Sequence, residues 1–180
     1  MAFGDERRYL DLMESFSDAC RVSFERKQLQ HTPPDWVEDG SVYFLTICLE
    51  DRRSEELLQL KAAGAARDAA AAYQKNGIWW VNLLVLMPDH LHALISFNQR
   101  ERSMSKAMQS WKRFLNREVG LRCQRGYFDH RIRGEDALRE KAMYLRNNPV
   151  RAGLVSAASA WPYIWTSGYH LFAGATRRVS

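Results

Sequence analysis

Residues 78–97 read IWWVNLLVLMPDHLHALISF. Two apolar runs, Ile78 to Met87 and His90 to Phe97, flank Pro88-Asp89, a dipeptide that favours a tight turn because proline presets φ and aspartate bonds to nearby backbone. Both runs are strand length and carry β-branched or aromatic residues, so an antiparallel hairpin is the simplest expectation. The first run is interrupted by Asn82 and is far shorter than the roughly 18–20 residues that span a bilayer.

Upstream of the hairpin, Arg53 to Gln74 is rich in Ala, Leu, Glu and Lys and predicts a helix, with Gly64 inside it and Gly77 ending it. Its alanine run, Ala69 to Ala72, suits close packing of a helix on a sheet. Before it, SVYFLTICL (41–49) predicts a buried strand. Downstream, Met104, Met108, Trp111, Leu115 and Val119 recur every three to four residues, which predicts an amphipathic helix over Met104 to Val119 closed by Gly120. Tyr127 to Ile132 is a strand candidate. Glu135 to Arg146 predicts a helix ending before Asn147-Asn148-Pro149, and Val150 to Ala158 a further short helix. The order β-α-β-β-α-β-α implies an α+β fold: an antiparallel β-sheet with packed helices in the ferredoxin-like split arrangement.

Residues 5–29 have helical spacing of Leu12, Phe16, Ala19 and Phe24, and His31-Thr32-Pro33-Pro34-Asp35 reads as a linker. The expected division is an acidic N-terminal arm and linker (1–40), a main cored domain (41–160), and an aromatic tail (161–180) that packs back on it. With 180 residues, 46% hydrophobic and 12% aromatic, the chain supports one cored domain and excludes disorder. Cys20, Cys48 and Cys123 have neither disulfide-framework nor zinc spacing, and no apolar leader follows the N-terminus. A cytoplasmic, membrane-free protein with reduced thiols is expected.

Charge is unevenly distributed. Residues 1–40 hold five basic and nine acidic side chains, whereas residues 99–153 hold 14 basic and six acidic ones. A basic block behind an acidic leader points to a polyanionic partner, against the plainer reading of solvated helix faces. Lys106, Lys112, Arg113, Arg117, Arg131, Arg133, Arg146 and Arg151 are the candidate phosphate contacts. Trp111 has the option of stacking on an unpaired base, but its stripe position favours the core.

In His90-Leu91-His92, strand geometry sends both imidazoles to one face and Leu91 to the other. Two such rings can share a divalent cation. A His-x-His arises by chance about once in seven chains of this composition, so one bonded and one exposed histidine is the competing interpretation. The second element is YLRNNPVRAGL (144–154). Tyr144 and Asn148 share a helix face if the helix persists. A phenol can attack phosphorus, and the Asn148 amide oxygen can join a metal shell. A core aromatic and a plain helix cap before proline are the alternatives.

YFLTICLEDR (43–52), MPDHLHALISF (87–97), SKAMQSWKRFLNRE (105–118), GYFDHRIRGEDAL (126–138) and YLRNNPVRAGLV (144–155) occur in that order. Together they resemble the REP-associated tyrosine transposases, single-tyrosine members of the HUH superfamily related to small insertion-sequence transposases, over roughly residues 41–170. The resemblance implies an HUH pair at His90 and His92, a nucleophile at Tyr144 and a third metal ligand at Asn148, with His130 a supporting residue, a DNA contact or a core hydrogen-bonder. It further implies Mg²⁺ or Mn²⁺, cleavage of single-stranded DNA beside hairpins of palindromic repeats, a 5′-phosphotyrosine intermediate, strand transfer and association with the nucleoid. Such enzymes act as a monomer or homodimer. A silent hairpin-binding protein and a rolling-circle-type HUH nickase are the alternative functions, with a small-substrate metal hydrolase behind them.

Overall fold

A computed structural model describes residues 40–167. The expected N-terminal arm and the last residues of the tail lie outside these described residues. The strands are β1 (Val42–Cys48), β2 (Trp79–Leu86), β3 (His90–Phe97), β4 (Phe128–Arg131) and β5 (Ile164–Trp165). The helices are α1 (Leu60–Lys75), α2 (Met104–Val119) and α3 (Glu135–Arg151), with 3-10 turns at Glu56–Leu58 and Ala158–Ala160.

All strand pairings are antiparallel, and the order across the sheet is β4-β1-β3-β2-β5. The α+β architecture expected from the sequence is what forms. Strand alternation gives the sheet two different faces. Tyr43, Leu45 and Ile47 of β1 and Leu91, Ala93, Ile95 and Phe97 of β3 join one core with Ala62, Ala66, Ala69 and Ala70 of α1 and Met104, Met108, Trp111 and Leu115 of α2. Phe44, Thr46, His90, His92 and Leu94 alternate with these and occupy the other face. Phe44 there meets α3, since the Lys141 ammonium lies 4.8 Å from its ring centroid.

Asn82 marks a bulge in β2: Val81 opposes Ile95, but Leu83 opposes Leu94. One extra residue reverses the alternation, so Trp79 and Val81 face α1 and α2 and the downstream Leu83 and Val85 face the histidine side. Pro88-Asp89 makes the turn into β3, with Met87 N–H bonded to His90 C=O at 2.8 Å.

Three expectations are corrected. The helix expected from Arg53 starts at Leu60, because Arg53 and Glu56 N–H groups bond instead to the Asp51 carboxylate and the Ser54 hydroxyl, 2.9 and 3.0 Å, local side-chain turns that compete with helix. The helix expected to stop at Arg146 runs through Pro149 to Arg151. Proline in the last turn removes one ladder bond, while Ala142, Leu145 and Pro149 are all buried along that helix, and the turn continues with Ala152 N–H on Asn148 C=O at 2.9 Å. Val150 to Ala158 is no separate helix: α3 ends at Arg151, Gly153 just beyond it has a φ of 69°, a left-handed stop natural to glycine, and only the Ala158–Ala160 turn follows.

The aromatic segment after residue 160 supplies β5. Trp165 pairs with Leu84 and Ile164 with Val85, and the Trp161 indole donates to Leu86 C=O at 2.9 Å. No helix among the described residues is long and apolar enough to cross a membrane.

Candidate active site

His90 and His92 are consecutive same-face residues of β3, the central strand. Each ring is held through Nδ1. The Asp89 carboxylate accepts from His90 Nδ1 at 2.6 Å, and the Thr46 hydroxyl on β1 lies 2.9 Å from His92 Nδ1. Thr46 is directly opposite His92 in the β1–β3 register. Arg52 locks Asp89 from behind, with Nη2 on the carboxylate at 2.9 Å and Nη1 donating to its backbone carbonyl at 3.1 Å. Burial pushes the Asp89 carboxyl upward, but the hydrogen bond and charge of His90 and the Arg52 guanidinium outweigh it and hold the group below the usual range.

With both Nδ1 atoms engaged, the two Nε2 atoms turn toward each other at 3.2 Å. Lone pairs this close repel unless a proton or a cation lies between them. Burial, then the charges of His90, Lys141 and Arg52, push His92 well below the ordinary histidine value, so the neutral, ligand-competent ring is favoured. Two nitrogens each about 2.1 Å from one ion, at roughly 90–110°, lie about 3.0–3.4 Å apart. The observed 3.2 Å separation fits a shared divalent ion. Among the described residues no cluster of three His, Cys, Asp or Glu side chains that could hold a metal forms.

Because α3 is continuous, Tyr144 and Asn148 are one turn apart on one face, both half-buried. Lys141, one turn before Tyr144, connects the helix to the histidine face. Its ammonium lies 4.8 Å from the Phe44 centroid and 5.1 Å from the Tyr144 centroid, while Phe44 and His92 stack at 5.6 Å. Arg151 covers the Tyr144 ring at 4.6 Å. His130 follows the register of Phe44 onto the same face. It is exposed there, not the core hydrogen-bonder that was one of its expected roles. Burial first, then Lys141 and Arg133, lower its pKa, against an opposing push from Asp129.

The basic candidates do not form one patch. Lys106, Arg113 and Arg117 are exposed on α2, beyond the face of the sheet opposite the histidines. Arg131 sits opposite Tyr43 and shares that remote face. Arg133 and Arg151 are exposed on the histidine side or next to Tyr144, and Arg146 is half-buried on α3. The Lys112 ammonium instead donates to three carbonyls, Gln124 at 2.9 Å, Arg125 at 2.7 Å and Gly126 at 3.3 Å. It ties the 124–126 loop to α2, so Lys112→Met is expected to destabilise the fold by about 1–3 kcal/mol in thermal melts and to leave DNA affinity nearly unchanged. Trp111 is 1% exposed and packs edge-to-face on Trp79 at 5.6 Å, which removes it from DNA stacking.

Sequence reasoning missed Thr46, Arg52, Asp89 and Lys141. Thr46 was findable as the one aliphatic hydroxyl within the apolar run VYFLTIC, and Asp89 by its adjacency to His90. Asp89→Asn removes the charge that orients His90, and Mn²⁺ affinity measured by calorimetry is expected to fall about 10–100-fold.

Paired histidines on a central strand face the helix that carries Tyr144. The chain is 26% identical over 126 residues to the REP-associated tyrosine transposase of Escherichia coli, covering 69% of this chain and 75% of that protein. It is 24% identical over 149 residues to a Haemophilus influenzae protein provisionally given the same name, covering 73% and 81% respectively. Its fold matches a solved REP-associated tyrosine transposase bound to a REP hairpin, with a TM-score of 0.64 and 22% identity, over 88% of this chain and all of that one. No protein-family model matches. The curated relatives make the chain similar to the REP-associated tyrosine transposases over about seven-tenths of its length.

Proposed function

We propose that the protein cleaves one strand of DNA beside a hairpin of a palindromic repeat and rejoins it, with Tyr144 as the nucleophile. The observation that carries this reading is the convergence of His90 and His92 Nε2 at 3.2 Å on the face that α3 covers. The naming of the relatives and the hairpin bound in the matching structure support the substrate class.

Tyr144 Oη forms a bond to phosphorus and the bond to the 3′ oxygen breaks. The phenolic proton leaves to solvent, and the released 3′ oxygen takes one up. The 5′ end stays on Tyr144 as a phosphotyrosine ester, whose attack by a 3′ hydroxyl reseals DNA. A bound Mg²⁺ or Mn²⁺, held by His90 and His92 with Asn148 as the candidate third ligand, would supply polarisation of the scissile phosphate. Arg52 and Asp89 keep His90 oriented, and Thr46 does so for His92. Arg133, Arg146 and Arg151 are the candidate phosphate contacts nearest this chemistry; Lys106, Arg113, Arg117 and Arg131 are candidates farther from it, on the other side of the sheet. The Lys141 bridge from Tyr144 to Phe44 supports a tyrosine that acts in cis.

The test is to incubate the full chain with a labelled hairpin bearing a single-stranded flank and Mn²⁺. An SDS-resistant protein–DNA adduct and a shortened strand are expected. Hairpin binding with no adduct under any divalent ion would overturn the cleavage reading and leave a silent binding protein.

A further inference from the structure

Lys141 is the single charged side chain among the buried described residues, 3% exposed. Its helix neighbours on the buried side are Ala142, Leu145 and Pro149, and an aliphatic side chain would fill the same place without desolvating an ammonium. Withdrawing a charge from water is costly, so packing alone does not explain a lysine here. The ammonium is held between two aromatic faces, Phe44 at 4.8 Å and Tyr144 at 5.1 Å, a geometry in which a cation is attracted to both rings. Phe44 is fixed to the sheet and stacked on His92. The lysine therefore couples the position of the tyrosine ring to the histidine face.

We propose that Lys141 is the positioning residue for Tyr144: its buried ammonium clamps the phenol ring to Phe44, on the sheet face that carries His90 and His92, and keeps a positive charge against that ring as its oxygen becomes anionic. This rests on the reading of Tyr144 as nucleophile. The charged or titratable groups around the ammonium are His92 from β3, His130 from β4, and Glu140, Tyr144 and Arg151 from α3. Burial pushes Lys141 down to about 8, with Glu140 opposing, so the group still carries its charge at neutral pH. Arg151, over the same ring at 4.6 Å but exposed, is the internal comparison.

The experiment uses the full chain with Lys141→Met, which keeps length and apolar stem, and Lys141→Arg, which keeps the charge. Three quantities are measured: hairpin affinity by fluorescence anisotropy, the single-turnover rate of adduct formation with Mn²⁺, and the ring signal of Tyr144 in ¹³C-tyrosine-labelled protein, assigned with Tyr144→Phe. Lys141→Met is expected to bind the hairpin within about two-fold, to form adduct about 100-fold more slowly, and to shift the Tyr144 signal; Lys141→Arg recovers most of the rate. A Met variant with near-parental rate and an unmoved ring signal overturns the proposal, as does an Arg variant no better than Met. If Met does not fold, Lys141→Gln takes its place in the same measurements. If the parent protein forms no adduct, the nucleophile reading fails, while the ring signal still decides whether Lys141 positions Tyr144.

Discussion

Tyr144→Phe is expected to abolish the covalent protein–DNA adduct, a fall in cleavage rate on the order of 10⁴-fold or more, with hairpin affinity held within about two-fold. The substitution isolates the nucleophile unusually well. The ring contacts that seat residue 144 are made to its π faces, by Lys141 at 5.1 Å and Arg151 at 4.6 Å, and phenylalanine retains both. Only the oxygen that would bond to phosphorus is removed. Binding should survive because phosphate contacts fix a protein on DNA independently of the reacting atom. The measurement pairs anisotropy with denaturing gel electrophoresis of a labelled hairpin. Residual adduct from the Phe variant would assign the covalent step to another side chain and remove the basis for reading α3 as the catalytic helix.

How far the sequence carries toward this site depends on how local the signals are. The β2–β3 hairpin, the α2 boundaries and the same-face placement of His90 and His92 follow from periodicities of two and 3.6 and from turn residues, all short-range. Asn82 was visible as a polar interruption, but its consequence, a bulge that reverses which side chains face α3, depends on pairing with β3 and is invisible in one strand alone. Pro149 misled for a related reason. The local preference before proline opposes helix, and tertiary burial of Leu145 and Pro149 overrides it, which restores the one-turn spacing of Tyr144 and Asn148. The basic block read as one DNA face is divided by the sheet, since charge counted along the chain carries no information on which layer each helix joins. Lys141 was unreadable for the same reason: its meaning comes from Phe44, nearly a hundred residues earlier.

Replacing His90 or His92 by Ala is expected to lower Mn²⁺ affinity by about 100-fold or beyond detection and to remove cleavage, read by calorimetry and by the adduct assay. The loss should be non-additive, because one imidazole with its Nε2 no longer opposed at 3.2 Å has no partner with which to chelate an ion. Acid should act through the same pair. Burial and neighbouring positive charge hold the folded-state pKa of His92 well below its ordinary value, and His130 is lowered too. Above about pH 6.5 these rings are neutral in both folded and unfolded chains and impose no penalty. As pH falls through that value the unfolded chain takes up protons that the folded one resists, so stability declines until the folded pKa is reached. Thermal melts of the metal-free protein should therefore be lower at pH 5.5 than at pH 7.5, and His92→Ala should flatten that dependence by removing the larger contributor. A metal bound to the neutral rings opposes protonation further, so saturating Mn²⁺ should shift the acid decline to lower pH in the parent protein and leave the His92→Ala profile where it was. An equal shift in both would place the ion elsewhere and sever the histidine pair from the chemistry.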